Sequence, residues 1–325
     1  MSSQEDMDPK IIVDQVEARA LWQDLLRNAV VVSPFDDFDF LDGLAALYGW
    51  SVKTVVWGHR LGVRFVERSR IGIRDIVVPP FVPFSSVLLS SEVPLDERLN
   101  TLNLAFHPLS GLPDSRLISL HPTLGRIGVL SPTGYSFREK ATFEVPTGSK
   151  EEVLSRLSES TARKYKKSHD QYDFRAGEIE SVFIADMVKQ AYDKHSKRFS
   201  LPTGALGVFC DGLTQRQFAT SVGAYNRDSG ALEAGIVLLM NEDTAWYWLA
   251  GSQPGPAMTV LLVDTLVHLK TLGRSSMDLM GANTPGITEF KRRFGGDLVN
   301  YPHLHKSTFL TALLSSSASY FRKLT

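Results

Sequence analysis

The most restrictive feature of this chain is a pair of adjoining segments near residue 240. Leu232–Met240 is apolar almost without alternation, Asn241, Glu242 and Asp243 make a polar turn, and residues 244–250 return through Trp246, Tyr247 and Trp248. A strand that does not alternate is covered on both faces. Residues 257–272 follow and are so apolar that a helix there must be largely buried. A covered hairpin feeding a buried helix requires helices layered on a sheet. The fold class expected is α/β with mixed α+β sheets.

The segments around this centre extend the pattern. Residues 150–169 are charged and helical, opened by Ser149 with Glu152 at capping-box spacing. Residues 173–179 read as a strand. Residues 182–199 read as an amphipathic helix, with Phe183, Met187, Ala191 and His195 at i, i+4 spacing. Thr214 is expected to open another helix, running to about Tyr225. After the buried helix come a strand at 275–280, a short helix from Thr284-Pro285 to Phe294, and a strand near 298–301. Residues 308–322 read as a closing helix.

The N-terminal half carries helices at 14–29 and 37–48, with a short strand at 30–32 between them. Three strand segments follow at 51–57, 61–67 and 71–78, and Gly58, His59 and Arg60 turn between the first two. Pro79, Pro80 and Pro83 mark an irregular crossing, because proline removes ladder donors. Residues 94–106 read as helix, 116–121 as strand and 125–139 as loop. A length of 325 residues suits two domains. Pro146, after a strand at 142–145, is the expected boundary, giving domains 1–145 and 146–325.

Charge excludes some functions. Lys plus Arg number 35 and Asp plus Glu 36, so the net charge is −1. That balance argues against a whole-surface polyanion binder, so phosphate contacts must come from a local patch; duplex DNA is not an expected partner, since the basic helix at 156–167 has no aromatic interleaving and no second basic face. One cysteine, Cys210, excludes an internal disulfide and a Cys-only metal site, and reads as a small buried hydrophobe. His303 and His305 would point the same way on a strand, but two ligands without a third do not make a metal site. No run approaches the ~18 apolar residues of a membrane span. The opening Met1-Ser-Ser-Gln-Glu-Asp-Met lacks a secretory pattern, so the cytoplasm is the expected location. Oligomeric state is not legible.

The most informative stretch runs from Asp278 through Gly281, Asn283, Thr284, Pro285, Gly286, Phe290 and Lys291 to Gly295-Gly296. It reads as strand, turn, short helix and glycine stop. Thr284 suits an N-cap and Pro285 a first helical residue. The helix start offers free N–H groups to an anion. Phe290 and Phe294 share a face, with Lys291 beside it. The plain alternative is a solvated basic helix packed by two phenylalanines. A second cluster, Arg163, Lys164 and Lys167 with Arg156 and Lys166, could hold a phosphate or carboxylate by charge-assisted bonds of about 1.5–3 kcal/mol each. Its alternative is a solvated helix.

For acid–base work Asp278 is the best-placed carboxylate, unless it simply bonds loop N–H groups. Tyr247 is a proton shuttle or a core residue. Asp264 and His268, four apart, are an acid–base pair or a satisfied structural pair. No nucleophile elbow, P-loop or zinc motif is present, so direct transfer suits the chain better than a covalent intermediate.

The run Phe290-Lys291-Arg292-Arg293-Phe294-Gly295-Gly296 resembles the Phe-Lys-x-x-Phe-Gly-Gly element of the FemAB-like branch of the GNAT acyltransferase superfamily. Other segments resemble that family in the same order. Residues 49–78 with Pro79-Pro80 resemble its first hairpin and proline crossing, and residues 158–167, with Ser160, Arg163, Lys164 and Lys167, resemble its Ser-x-x-x-Arg helix with trailing lysines, the serine here standing three before the arginine. Ala234-Gly235 to Gly251-Ser252 resembles its second hairpin, and 261–273 its central helix. The resemblance implies tandem GNAT-like domains and transfer of an acyl or aminoacyl group to an amine. It implies acyl-CoA or aminoacyl-tRNA as donor, no tightly bound cofactor, and a small-molecule or nucleotide-linked anionic acceptor in cell-envelope or polysaccharide biosynthesis. Substrates would lie between the domains or at splayed strands of the second.

On that reading Lys291, Asp278 and Tyr247 are the catalytic candidates. Asn283, Thr284, Gly286 and Phe290 line the site, and Arg163, Lys164 and Lys167 anchor the acceptor. Two departures stand out. Pro254 and Pro256 remove donors from the loop before the central helix, which makes it a poor pyrophosphate cradle. No heptad segment supplies a coiled-coil arm for tRNA. A non-catalytic ligand-binding protein of this fold, or an acetyl-CoA-dependent N-acetyltransferase, are the competing expectations.

Overall fold

The computed structural model describes residues 8–128, 132–177 and 179–308. They form two compact units, 8–139 with 301–308, and Lys140–Asn300. Among the described residues no helix is long and apolar enough to cross a membrane.

The first unit opens with β1 (Lys10–Ile12), α1 (Gln15–Arg27) and α2 (Phe38–Leu47). Both helices start on an aspartate: Asp14 accepts from Glu17 N and Asp37 from Phe40 N, each at 2.8 Å. Then come β2 (Ser51–Trp57), β3 (Leu61–Arg70), β4 (Ile73–Val77), β5 (Ser86–Leu89), α3 (Arg98–Asn103), β6 (Arg116–Ser119) and α4 (Pro122–Ile127). β3 pairs with β2 along one edge; its other edge is shared between β5 and β4. Arg64 is buried inside this unit yet satisfied. It donates to Asp42 at 2.6 Å and to Phe38 O at 2.9 Å, and stacks 3.7 Å from the Phe38 ring.

The second unit contains most of β7 (Ser136–Pro146), then α5 (Lys150–Arg156), α6 (Glu159–Ser168), β8 (Tyr172–Ala176), α7 (Ser181–Lys194) and α8 (Thr203–Gln215). β9 (Ala219–Asn226), β10 (Leu232–Met240), β11 (Thr244–Ser252), α9 (Ala257–Thr271), β12 (Ser276–Asp278) and α10 (Pro285–Arg292) complete it. Its sheet runs β7-β12-β11-β10-β9-β8, and only β11 and β12 are parallel. A final strand, β13 (Asp297–Lys306), places His303 to Lys306 against β6 in the first unit.

The covered hairpin is as expected. Ala234, Ile236 and Leu238 join a core with Leu261, Leu262 and Leu266 of α9. The opposite face carries α7, packed so closely that a Cβ on Gly251 would fall 2.8 Å from Val188 N. The capping box is also present: Ser149 N donates to Glu152 at 2.7 Å, and Glu152 N to Ser149 Oγ at 3.2 Å.

Other expectations are corrected. Residues 30–32 form no strand; Ala29 makes an isolated bridge to Ser90. The 125–139 segment is not all loop, since it includes the end of α4 and the start of β7. Residues 150–169 form two helices, because Ser158 caps a new one through Thr161 N. In α7 the buried face is Ile184, Ala185, Met187 and Val188, and Phe183 is exposed. Thr214 closes α8 rather than opening a helix, its hydroxyl donating to Cys210 O at 3.2 Å. Gln217, with φ 58°, then turns the chain into β9. The expected closing helix at 308–322 lies outside the described residues, apart from Thr308, which is not helical.

Candidate functional site

The second unit holds a fork between two parallel strands. β11 and β12 pair only from Thr244 opposite Ser276 to Trp246 opposite Asp278. β12 ends there, whereas β11 continues to Ser252. Two local features part them. Against β10, the register steps from Leu238–Tyr247 to Val237–Leu249, so Trp248 is an extra residue, and a bulge bends its strand. Beyond Asp278 the chain stays with β7: Leu279 N donates to Phe143 O and Ala282 N to Ala141 O, both at 2.8 Å. Between those bonds Met280 and Gly281 adopt φ values of 54° and 40°. For a non-glycine the left-handed region costs about 1–2 kcal/mol. From Tyr247 onward the second edge of β11 has no strand partner among the described residues.

Lys291 lies at the base of the fork. It is the one buried residue of α10. Its Nζ donates to Leu279 O at 2.6 Å, to Met280 O, and to Gly281 O at 3.3 Å. The same atom stands 5.4 Å from the centroid of the Tyr247 ring. Burial pushes the ammonium down to about 8, while Asp278 pulls it upward. Three carbonyl acceptors favour the charged form as well. Lys291, a catalytic candidate from the sequence, is here a cation saturated by backbone oxygens. A buried charge is tolerable only with such partners.

Asp278 accepts hydrogen bonds on Oδ1 from the Thr142 hydroxyl and from Met280 N, the latter at 2.6 Å. Burial pushes its carboxyl up to about 6 against the pull of these donors and of Lys291. Bonding of a loop N–H, one of the two expected roles, is thus observed. The Tyr247 hydroxyl donates to Met258 Sδ at 3.5 Å, and burial raises its pKa, so the phenol stays protonated.

The remaining motif residues build the same corner. Phe290 and Phe294 pack edge to face, 5.2 Å apart. Gly295, at φ 73°, lies against Arg156, and a Cβ on Gly296 would fall 2.5 Å from Glu144 O. Only glycine admits both approaches.

No family model matches the chain, and no curated protein matches it by sequence. Solved structures do match. FemX aligns over 91% of this chain and 97% of its own, with a TM-score of 0.65 at 9% identity. The chain has the FemX fold. This agrees with the FemAB-like GNAT resemblance carried by the Phe290–Gly296 run. L-PGS from Bacillus licheniformis aligns over 93% of this chain and 94% of its own, with a TM-score of 0.51 at 12% identity. A conserved protein of unknown function from Bacteroides thetaiotaomicron VPI-5482 covers 92% and 99%, with a TM-score of 0.53 at 8% identity.

Within this FemX-like fold the other candidates divide. Asn283 Oδ1 accepts from Ala141 N at 3.0 Å, which fixes the turn leading to α10. Thr284 occupies the N-cap position but its side chain makes no capping bond; Gly286 is exposed. Arg163 is exposed and pairs with Glu159 at 2.5 Å, and Lys164 and Lys167 are exposed on the same helix. Asp264 does not pair with His268. Its partner is Tyr165, whose hydroxyl donates at 2.7 Å, while His268 packs 5.3 Å from the Phe174 ring. His303 shares a hydrogen bond with Ser119 Oγ at 2.5 Å, and His305 is exposed. Among the described residues no three His, Cys, Asp or Glu side chains are grouped to hold a metal. Cys210 is buried. Thr142, Met280 and the Trp248 bulge had no sequence signal, since each depends on a register set by another strand.

Proposed function

We propose that this chain transfers an acyl or aminoacyl group directly to the amine of an anionic acceptor. The observation that carries the reading is the fork: an edge of β11 that beyond Trp246 has no strand partner among the described residues, beside the start of a buried helix. An extended donor arm can take the free strand edge by backbone hydrogen bonding. The first intrahelical bonds of α9 run from Thr259 N and Val260 N to Pro256 O, at 2.9 and 3.1 Å. The amides of Ala257 and Met258 precede them and suit a donor phosphate. Pro254 and Pro256 supply no N–H, so this cradle has fewer donors than a glycine-rich one.

In the proposed reaction the acceptor amine attacks the donor carbonyl carbon. The new C–N bond forms, and the donor's C–S or C–O bond breaks. Asp278, whose hydrogen bonds both fall on Oδ1, takes the amine proton on Oδ2. Tyr247 gives its proton to the departing thiol or hydroxyl. Its present acceptor is a thioether sulfur, a weak one that it can exchange readily. Arg163, Lys164 and Lys167, exposed on α6, are the proposed anchor for the acceptor's anionic group.

The test is incubation of the whole protein with acyl-CoA and aminoacyl-tRNA pools and an amine acceptor library, with mass-spectrometric detection of the new amide. Amide formation that falls in Tyr247→Phe supports the reading. Retained ligand without turnover from either pool would establish the competing binding-protein reading, which the proline-interrupted loop favours.

A further inference from the structure

The fork has two arms, and a single side chain touches both. On the β12 arm the Lys291 ammonium donates to three successive carbonyl oxygens, those of Leu279, Met280 and Gly281. On the β11 arm it lies under the ring of Tyr247, 5.4 Å from the centroid. We infer that Lys291 is a positioning residue, a clamp that sets the opening of the fork and does not itself meet substrate.

The chemistry of the ammonium supports this. It carries three N–H donors and no acceptor, and three carbonyls engage them. Stabilising an oxyanion requires a donor aimed at the place where that oxygen will sit. None of the three is aimed into the open side of the fork. The turn, in contrast, needs this cation. Three carbonyl dipoles converge on one point, and convergence of that kind is repulsive without a positive charge between them. Met280 is also held at φ 54°, a conformation an L side chain avoids. The opposite arm gains as well, because the ammonium under the Tyr247 ring fixes the phenol at the point where the strands part. Loss of Lys291 should therefore relax the turn and free the ring together.

The kinetic part of this inference rests on the proposed transfer; the structural part stands without it. The experiment compares the full-length parent with Lys291→Met, Lys291→Arg, Met280→Gly and the Lys291→Met/Met280→Gly double variant. Amide hydrogen exchange is read at residues 279–282 and 247–249, with α9 as the internal reference. Lys291→Met should raise exchange at both fork segments at least tenfold and leave α9 unchanged. Met280→Gly in that background should lower exchange at residues 279–282 at least threefold below Lys291→Met without reaching the parent, because glycine removes the left-handed penalty while the carbonyl repulsion remains. With a turned-over donor, kcat of the double variant should stay within threefold of Lys291→Met, because the Tyr247 ring remains without its cation.

Parent-like exchange in Lys291→Met overturns the clamp. So does a loss of kcat in Lys291→Met with exchange at residues 247–249 as in the parent, which would put Lys291 on the substrate. If Lys291→Met does not fold, Lys291→Arg decides. A guanidinium keeps the charge but spreads its donors over a plane wider than the point on which the three carbonyls converge, so exchange of the turn should rise at least threefold, and no rise refutes the clamp. A parent without turnover from acyl-CoA or aminoacyl-tRNA ends the transfer reading alone, and the exchange comparison still decides the role of Lys291.

Discussion

A Cβ on Gly295 would fall 2.2 Å from the carbonyl oxygen of Arg156, so α5 and the end of the Phe290–Gly296 run meet backbone to backbone. Gly295→Ala adds about 1–3 kcal/mol of overpacking and about 1–2 kcal/mol for its left-handed φ. Denaturant unfolding should show a loss of about 3 kcal/mol. A change under 1 kcal/mol would mean that this contact is looser than described.

Acid and base groups in the first unit give opposed pH dependences. Burial pushes the Asp36 carboxyl up to about 6, against donors on Ser33 and Ser86. Its folded pKa exceeds its unfolded value, so folded protein binds the extra proton between about 4 and 6, and stability falls as pH rises through that window. Burial pushes His121 down to about 4. Its contribution is present above the unfolded value and is lost as pH falls from about 6.5 to 4. Each effect is of the order of 3 kcal/mol, at about 1.4 kcal/mol per unit. Asp36→Asn should therefore steepen the fall in stability from pH 6 to 4, and His121→Gln should flatten it. Matching slopes in parent and variants would contradict both assignments.

Tyr247→Phe removes one hydroxyl whose acceptor among the described residues is Met258 Sδ. Stability should change by less than about 1 kcal/mol, since that bond is weak. Under the proposed transfer kcat should drop about 10²-fold with KM within threefold. Steady-state kinetics with a turned-over donor checks this, and an unchanged kcat removes Tyr247 from the reaction.

Tyr165 and Asp264 join α6 to α9 through one hydrogen bond of 2.7 Å. Burial raises the Asp264 pKa, and the Tyr165 donor opposes that shift. Tyr165→Phe leaves the carboxyl without its donor, at a cost of about 1–3 kcal/mol. Asp264→Leu in the Tyr165→Phe background should recover part of it. A strictly additive double variant would show that the two side chains are not coupled.

Local pattern determined the parts of this molecule that depend on neighbours in the chain. The unalternating hairpin, the apolar α9 and the Ser149–Glu152 box were legible because strand faces, helix periodicity and capping are set within a few residues. Helix α8 was not, because Gly204, Gly207 and Gly212 weaken its intrinsic propensity and packing against α7 overrides that. Strand β9 was hidden for the same reason; its register comes from β8 and β10. At the site, the motif around Lys291 was visible, but its role was not. A lysine on a short helix reads as a surface cation until the turn that needs it is known. That turn is formed by a chain leaving β11 to follow β7, and Thr142 reaches Asp278 from 136 residues away. Tertiary structure decided which way Lys291 points, because only the assembled turn supplies the three carbonyls that make burying its charge favourable.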